Sequence, residues 1–120
     1  MFNELSKKSI DWGIDTSDYG WISLDEWVEK GYVKTFVVRG CFINPHGKIT
    51  KTKVGAVPYV ITDGTIIRLP LWCVKMVNML LDNPEYVQGI KDGKCGARIS
   101  QYKDKEFGKT CNKIELYDIE

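Results

Sequence analysis

The sequence predicts a mainly β domain in which three strands, one helix and two more strands follow one another. Three observations carry this. Thr65 to Leu69 is a short β-branched run that opens after Asp63-Gly64 and stops at Pro70. Proline has no backbone N–H, so it suits the first position of a helix better than the interior of a strand. From Leu71 to Asp82 the period becomes helical: the polar residues Lys75, Asn78 and Asp82 fall at i, i+3 and i+7, and almost everything between them is apolar. β-Branched and aromatic residues then concentrate in four further runs, 32–43, 48–62, 94–102 and 110–119.

Residues 1–20 have scattered aromatics (Phe2, Trp12, Tyr19) and no clear period, and read as a lead-in that packs on the domain. Ser23 to Glu26 fits a capping box, opening a short helix through Lys30 with Gly31 just past its end. Tyr32 to Ile43 is the first long strand. Arg39-Gly40 interrupts it, and a glycine there marks a bulge or bend. Asn44-Pro45-His46-Gly47 reads as a turn. Lys48 to Thr62 is the second strand; both of its faces are mixed, so it bends, with Gly55 the expected place. Asp63-Gly64 turns the chain into the third strand. The helix that follows has so thin a polar stripe that a second subunit or the N-terminal segment is expected to cover its flanks. Asn83-Pro84 caps a further short turn through Val87, and Asp92-Gly93 leads into the fourth strand, Lys94 to Tyr102. Residues 103–109 form a charged hairpin loop, and Thr110 to Ile119 is the fifth strand.

This is the element order of an OB-fold, a five-stranded Greek-key barrel with one α-helix between strands three and four. The bend at Gly40 suits a small barrel, which needs a strand that passes between its two halves. An α+β sheet with the helix on one face shares the order without the closure. The expected organisation is a single domain over 1–120, with an N-terminal extension over 1–31 that contains the short helix and a barrel over 32–120.

Composition narrows the function. At 120 residues, 43% hydrophobic and 28% charged, the chain is an ordinary globular domain with a proper core. No apolar run approaches the ~20 residues of a membrane span, and no signal-peptide pattern follows the N-terminus, so a cytoplasmic protein is expected. Cys41, Cys73, Cys95 and Cys111 include no CxxC pair and read as small buried hydrophobes; with the lone His46 they offer no metal constellation. His46 sits in a Pro-His-Gly turn and is no obvious base. No P-loop, GxSxG or HExxH occurs, so no enzyme and no cofactor is expected.

The charge is unevenly placed. Residues 1–32 carry three lysines against seven carboxylates, residues 33–113 fourteen basic against six acidic residues, and residues 114–120 three carboxylates. A basic middle between acidic ends points to an anionic partner, although lysines that merely solvate strand edges give the same count.

Taken together, Val37-Val38-Arg39-Gly40-Cys41-Phe42, Gly55-Ala56-Val57-Pro58-Tyr59 before Asp63-Gly64, Leu69-Pro70, Ile90-Lys91-Asp92-Gly93-Lys94, Tyr102, Phe107-Gly108-Lys109 and Ile114-Glu115-Leu116-Tyr117-Asp118 resemble the small OB-fold single-stranded DNA-binding proteins. The likeness is strongest to the short ones encoded by phages of lactic acid bacteria. It covers roughly Tyr32 to Glu120. It implies a non-catalytic protein that coats single strands during phage DNA replication or recombination, in the host cytoplasm, as a homotetramer or a dimer. Familiar cellular members end in a linker with an acidic tip that recruits replication or recombination proteins. Glu120 follows the fifth strand directly, so recruitment through such a tail is not expected. About thirty residues also precede the first strand, where cellular members have almost none.

Coating a single strand without sequence preference needs cations along the phosphates and aromatic faces for the bases. The OB surface is the face of strands two and three with the loops joining strands one to two and four to five. Those elements hold Lys48, Lys51, Lys53, Tyr59, Arg68, Lys103, Lys105, Phe107 and Lys109; Tyr102 ends strand four, and Lys34, Arg39 and Arg98 lie on neighbouring strands. Lys51 and Lys53, two apart, are expected on one strand face. Trp72 reads as core or oligomer contact. Trp12, Trp21 and Trp27 lie in the acidic segment, which argues against contact with a polyanion. The rival functions are a protein–protein interaction module or small phage regulator built on the same barrel, and RNA binding, for which no 2′-hydroxyl discriminator is visible.

Overall fold

The computed structural model describes residues 12–103, 108 and 110–119. The mainly β character stands. Strands β1 (Gly20–Ser23), β2 (Thr35–Val37), β3 (Gly40–Lys48), β4 (Val54–Thr62), β5 (Thr65–Arg68), β6 (Cys95–Lys103) and β7 (Thr110–Asp118) alternate with helices α1 (Leu24–Glu29), α2 (Val74–Asp82) and α3 (Pro84–Lys91). They form two sheets, a four-stranded one in the order β1-β5-β4-β3 and a three-stranded one in the order β2-β6-β7.

The expected first strand is split between the sheets. Val38 N–H donates to the Cys95 carbonyl at 2.9 Å, and the next residue, Arg39, donates to the Ile61 carbonyl at 2.7 Å. The chain therefore leaves one sheet and joins the other within one peptide unit, next to Gly40. At Gly40 the Trp12 ring lies against the strand: a β-carbon there would stand 2.7 Å from Trp12 Cγ. Trp12 Nε1 donates to the Cys41 carbonyl at 2.9 Å and fixes the ring.

Closure differs from the expected five-stranded barrel. Among the described residues no ladder joins β5 to β7. β5's outer edge is taken instead by β1, which runs parallel to it with Trp21 opposite Ile66 and Ile22 opposite Ile67. An open edge is a liability that a chain covers where it can, and here the N-terminal segment covers it. That segment is thus a strand of the sheet, beyond the expected lead-in and short helix. α1 follows at once: Ser23 Oγ accepts from Glu26 N–H at 3.1 Å, and Gly31 (φ +76°) ends the helix, both as expected. α1 reaches the second sheet through Asp25, whose carboxylate accepts from Asn112 Nδ2 at 2.7 Å.

The turn expected at Asn44–Gly47 is a bulge inside β3. Asn44 pairs with Val57 and Gly47 with Gly55, so two residues on β3 face one on β4. Pro45 falls where the ladder is interrupted and needs no N–H. A side chain at Gly47 would collide with Val57. The reversal comes later, at 49–53. Thr50 Oγ1 accepts from the Thr52 and Lys53 N–H groups at 3.3 and 2.9 Å, a hydroxyl-centred turn that a strand reading of 48–53 overlooked.

Leu71–Cys73 is a 3-10 turn with Pro70 at its cap, and α2 starts only at Val74. Asn83 Oδ1 accepts from Glu85 N–H at 3.0 Å, and α3 runs to Lys91, longer than the short turn expected. The core lies between the sheets. Cys41, Val60 and Ile67 come from the four-stranded sheet, Phe36, Ala97, Ile99 and Ile114 from the other, with Leu24, Trp27, Cys73, Val77, Leu80 and Ile90 from the helical parts. Among the described residues no helix is long and apolar enough to cross a membrane.

Candidate nucleic-acid interface

Strand alternation dictates two faces for the four-stranded sheet. Cys41 and Ile43, Val60, Ile67 and Ile22 point to the core side. The residues between them point outward. Register places Phe42, Tyr59 and Arg68 side by side across β3, β4 and β5, with Trp21 on the same face of β1.

The three rings form one cluster. Phe42 and Tyr59 are stacked, with centroids 4.8 Å apart and planes 11° from parallel. Trp21 stands edge-on to both, 5.4 Å from Tyr59 and 6.2 Å from Phe42. It is 64% exposed. Val57, Ile61 and Ile66 alternate onto this same face and are buried beside the rings, while Val60 and Ile67 lie beneath on the core side. Arg68 borders the cluster and reaches across β4: its Nη2 donates to the Lys48 carbonyl at 3.0 Å. Beyond Lys48 the exposed turn at 49–53 carries Lys51 and Lys53 at its tip, rather than on a strand face. The geometry thus groups three aromatic rings, of which Trp21 is the exposed one, with cations at one end.

Of the expected residues, this face brings together Tyr59 and Arg68, with Lys51 and Lys53 on the turn at its end; Lys48 pairs with Val54, out of phase with Tyr59, and belongs to the other side of the sheet. Arg39 sits at the opposite end of β3, with Nε 3.0 Å from the Asp63 carboxylate. Four others belong to the three-stranded sheet or its flank. Lys34 precedes β2, where its carbonyl accepts from Ile99 N–H at 2.7 Å. The Arg98 guanidinium lies 5.2 Å from the Tyr117 ring centroid. Tyr102, near the end of β6, lines a cleft of about 470 Å³ with Trp72 and Lys113. Lys113 is 3.0 Å from Glu115, and that hydrogen bond holds the Glu115 carboxyl below its ordinary value. Lys103 ends β6. Lys105, Phe107 and Lys109 lie outside the described residues.

Trp21 and Phe42 belong to the face, though the sequence did not single them out. Phe42 was legible, since it alternates with Cys41 and Ile43 in a strand already recognised. Trp21 was set aside because of its acidic neighbours; only the long-range parallel pairing of β1 with β5 carries it to Tyr59.

The cysteines are embedded. Burial pushes the Cys41 thiol up to about 12, with Cys95 nearby adding to the effect, and pushes Cys73 and Cys95 up to about 11. These thiols stay protonated at neutral pH and are poor nucleophiles. No group of three or more metal-ligating side chains occurs among the described residues.

No family model, curated protein or solved structure matches the chain.

Proposed function

We propose that the protein binds single-stranded DNA without sequence preference, through the outer face of the four-stranded sheet. The observation that carries this reading is the Trp21–Phe42–Tyr59 cluster on the outer face, Trp21 exposed and the other two rings half-buried, bordered by Arg68 and by the Lys51 and Lys53 turn. Every base has a π-face, so aromatic platforms hold single strands irrespective of sequence, while duplex DNA keeps its bases stacked on one another. The strand that changes sheets at Val38–Arg39, and the helix between β5 and β6, support an OB-type architecture. Its seam between β5 and β7 is spanned by β1 and α1 in place of a closing ladder. With the resemblance of residues 32–120, this makes a strand-coating role in phage DNA replication or recombination the working assignment.

Titration of the intrinsic tryptophan fluorescence with oligo-dT and with duplex of equal length, over a salt series, tests the proposal. Tight quenching by the single strand with affinity falling linearly on a log–log salt plot is expected. A protein-interaction module would leave the fluorescence unchanged with either nucleic acid at low salt, and that result overturns the proposal.

A further inference from the structure

We infer that the lead-in at residues 12–19 is the specificity element of the outer face: it lays an acidic bank beside the aromatic row, which admits one phosphate backbone and turns away the second backbone of a duplex. The inference rests on the nucleic-acid reading and names what that face selects. Strand phase locates the bank. Gly40, Ile61 and Ile66 pair side by side on the outer face, two residues or about 7 Å along the strands from Phe42, Tyr59 and Arg68. Ile61 and Ile66 point outward, yet they are only 5% and 2% exposed. The Trp12 ring lies against the outward side of Gly40 and is held there by its hydrogen bond to the Cys41 carbonyl. Eight residues on, the Gly20 N–H donates to the Gly64 carbonyl at 3.2 Å, on the far side of β5. Residues 13–19 therefore cross this end of the sheet, from β3 to beyond β5.

The crossing segment is charged. Asp15 and Asp18 are both exposed. Asp15 accepts from the Ser17 N–H at 3.0 Å, and this bond holds its carboxyl below the ordinary value, so it is ionised at neutral pH. The Tyr19 N–H donates to the Thr16 carbonyl at 3.0 Å, which closes a turn between the two carboxylates and β1. Away from this bank, Arg68 reaches to the Lys48 carbonyl, and the Lys51 and Lys53 turn lies beyond it. The aromatic row thus runs between a basic bank and an acidic one. A single strand satisfies both: its phosphates follow the cations and its bases the rings. A duplex brings a second phosphate row, about 12 Å away across its major groove. With the first row on the cations, the second falls toward Asp15 and Asp18. Repulsion of the wrong ligand is a source of specificity distinct from attraction of the right one.

Anisotropy titrations of the full chain with labelled oligo-dT and with labelled duplex of equal length, at one low salt concentration, test this, with circular dichroism as the fold control. The parent is expected to favour the single strand. Asp15→Asn with Asp18→Asn removes both charges, and an asparagine at position 15 still accepts from the Ser17 N–H. This double variant is expected to gain roughly fivefold or more in duplex affinity and less than about twofold in oligo-dT affinity, so the preference narrows. Glu29→Gln with Glu85→Gln makes the same change in net charge from exposed positions on α1 and α3, and is expected to keep the parental preference. A folded Asp15→Asn, Asp18→Asn protein with the parental preference overturns the inference and leaves the single-strand reading standing. So does an equal narrowing in the Glu29→Gln, Glu85→Gln protein, because net charge alone then sets the preference. A parent that binds neither nucleic acid, or both equally, overturns the single-strand reading and the inference with it.

Discussion

Replacing Tyr59 by alanine removes the centre of the aromatic cluster, since Tyr59 is stacked on Phe42 at 4.8 Å and lies 5.4 Å from Trp21. Its ring is half-buried on an outer face, and each lost aromatic contact costs the fold about 0.5–1.5 kcal/mol. The variant should therefore stay folded with a lowered denaturation midpoint. Binding should suffer more sharply. A base stacked on an aromatic side chain contributes ~1–3 kcal/mol, which converts to a loss of roughly 5- to 150-fold in affinity for oligo-dT. The slope of log affinity against log salt should not change, because no phosphate contact is lost. The assay is a fluorescence titration at several salt concentrations, with denaturation run in parallel. Folded Tyr59→Ala protein that binds oligo-dT as tightly as the parent would refute the reasoning, and a changed salt slope would show that Tyr59 supports a cation rather than a base.

Three further outcomes follow from the geometry. Lys51→Ala with Lys53→Ala should weaken oligo-dT binding at low salt and flatten the salt slope by about one to two phosphate equivalents, read from the same titrations. Gly40→Ala sets a β-carbon 2.7 Å from Trp12 Cγ, so it should displace the indole and cost about 1–3 kcal/mol in chemical denaturation, with a changed Trp12 environment in the emission spectrum. Burial holds Cys41, Cys73 and Cys95 at about 12, 11 and 11, whereas in the unfolded chain they ionise near 9.0. The unfolded state then binds fewer protons, so stability should fall as pH rises from about 9 toward 11 and be unaffected by these thiols below that range. Each thiol contributes a limiting slope of about 1.4 kcal/mol per pH unit, and Cys41→Ala should show a shallower decline in denaturation midpoints over the same pH range.

The sequence carried much of the local structure because local chemistry decides it. The Ser23 capping box, the Asn83-Pro84 cap, the glycines at positions 31, 64 and 93 and the hairpin partners β6 and β7 stand where propensity and pattern put them. Legibility failed where two local signals competed. Asn44-Pro45-His46-Gly47 has turn composition, yet Gly47 serves the close packing of Val57 and Pro45 sits in the bulge; the Thr50 hydroxyl makes the turn instead. It failed again where the structure is non-local. Nothing near Trp21 in the chain announces a parallel pairing with Ile66, forty-five residues on. That pairing replaces the expected ladder between β5 and β7, and it delivers a tryptophan from an acidic segment to the aromatic face. The spread of Arg98, Lys34 and Tyr102 onto the other sheet has the same cause: membership of a basic middle says nothing about which sheet a strand joins.

Photo-crosslinking of the full chain to an oligo-dT containing 5-iodouracil, with the adducts located by mass spectrometry, tests the central claim most directly. Adducts at Trp21, Phe42 or Tyr59 that vanish with excess unlabelled oligo-dT and persist with excess duplex are the predicted result. Specific adducts confined to the three-stranded sheet or to α2, or no specific adduct at low salt, would contradict the assignment of the four-stranded sheet's outer face as the binding surface.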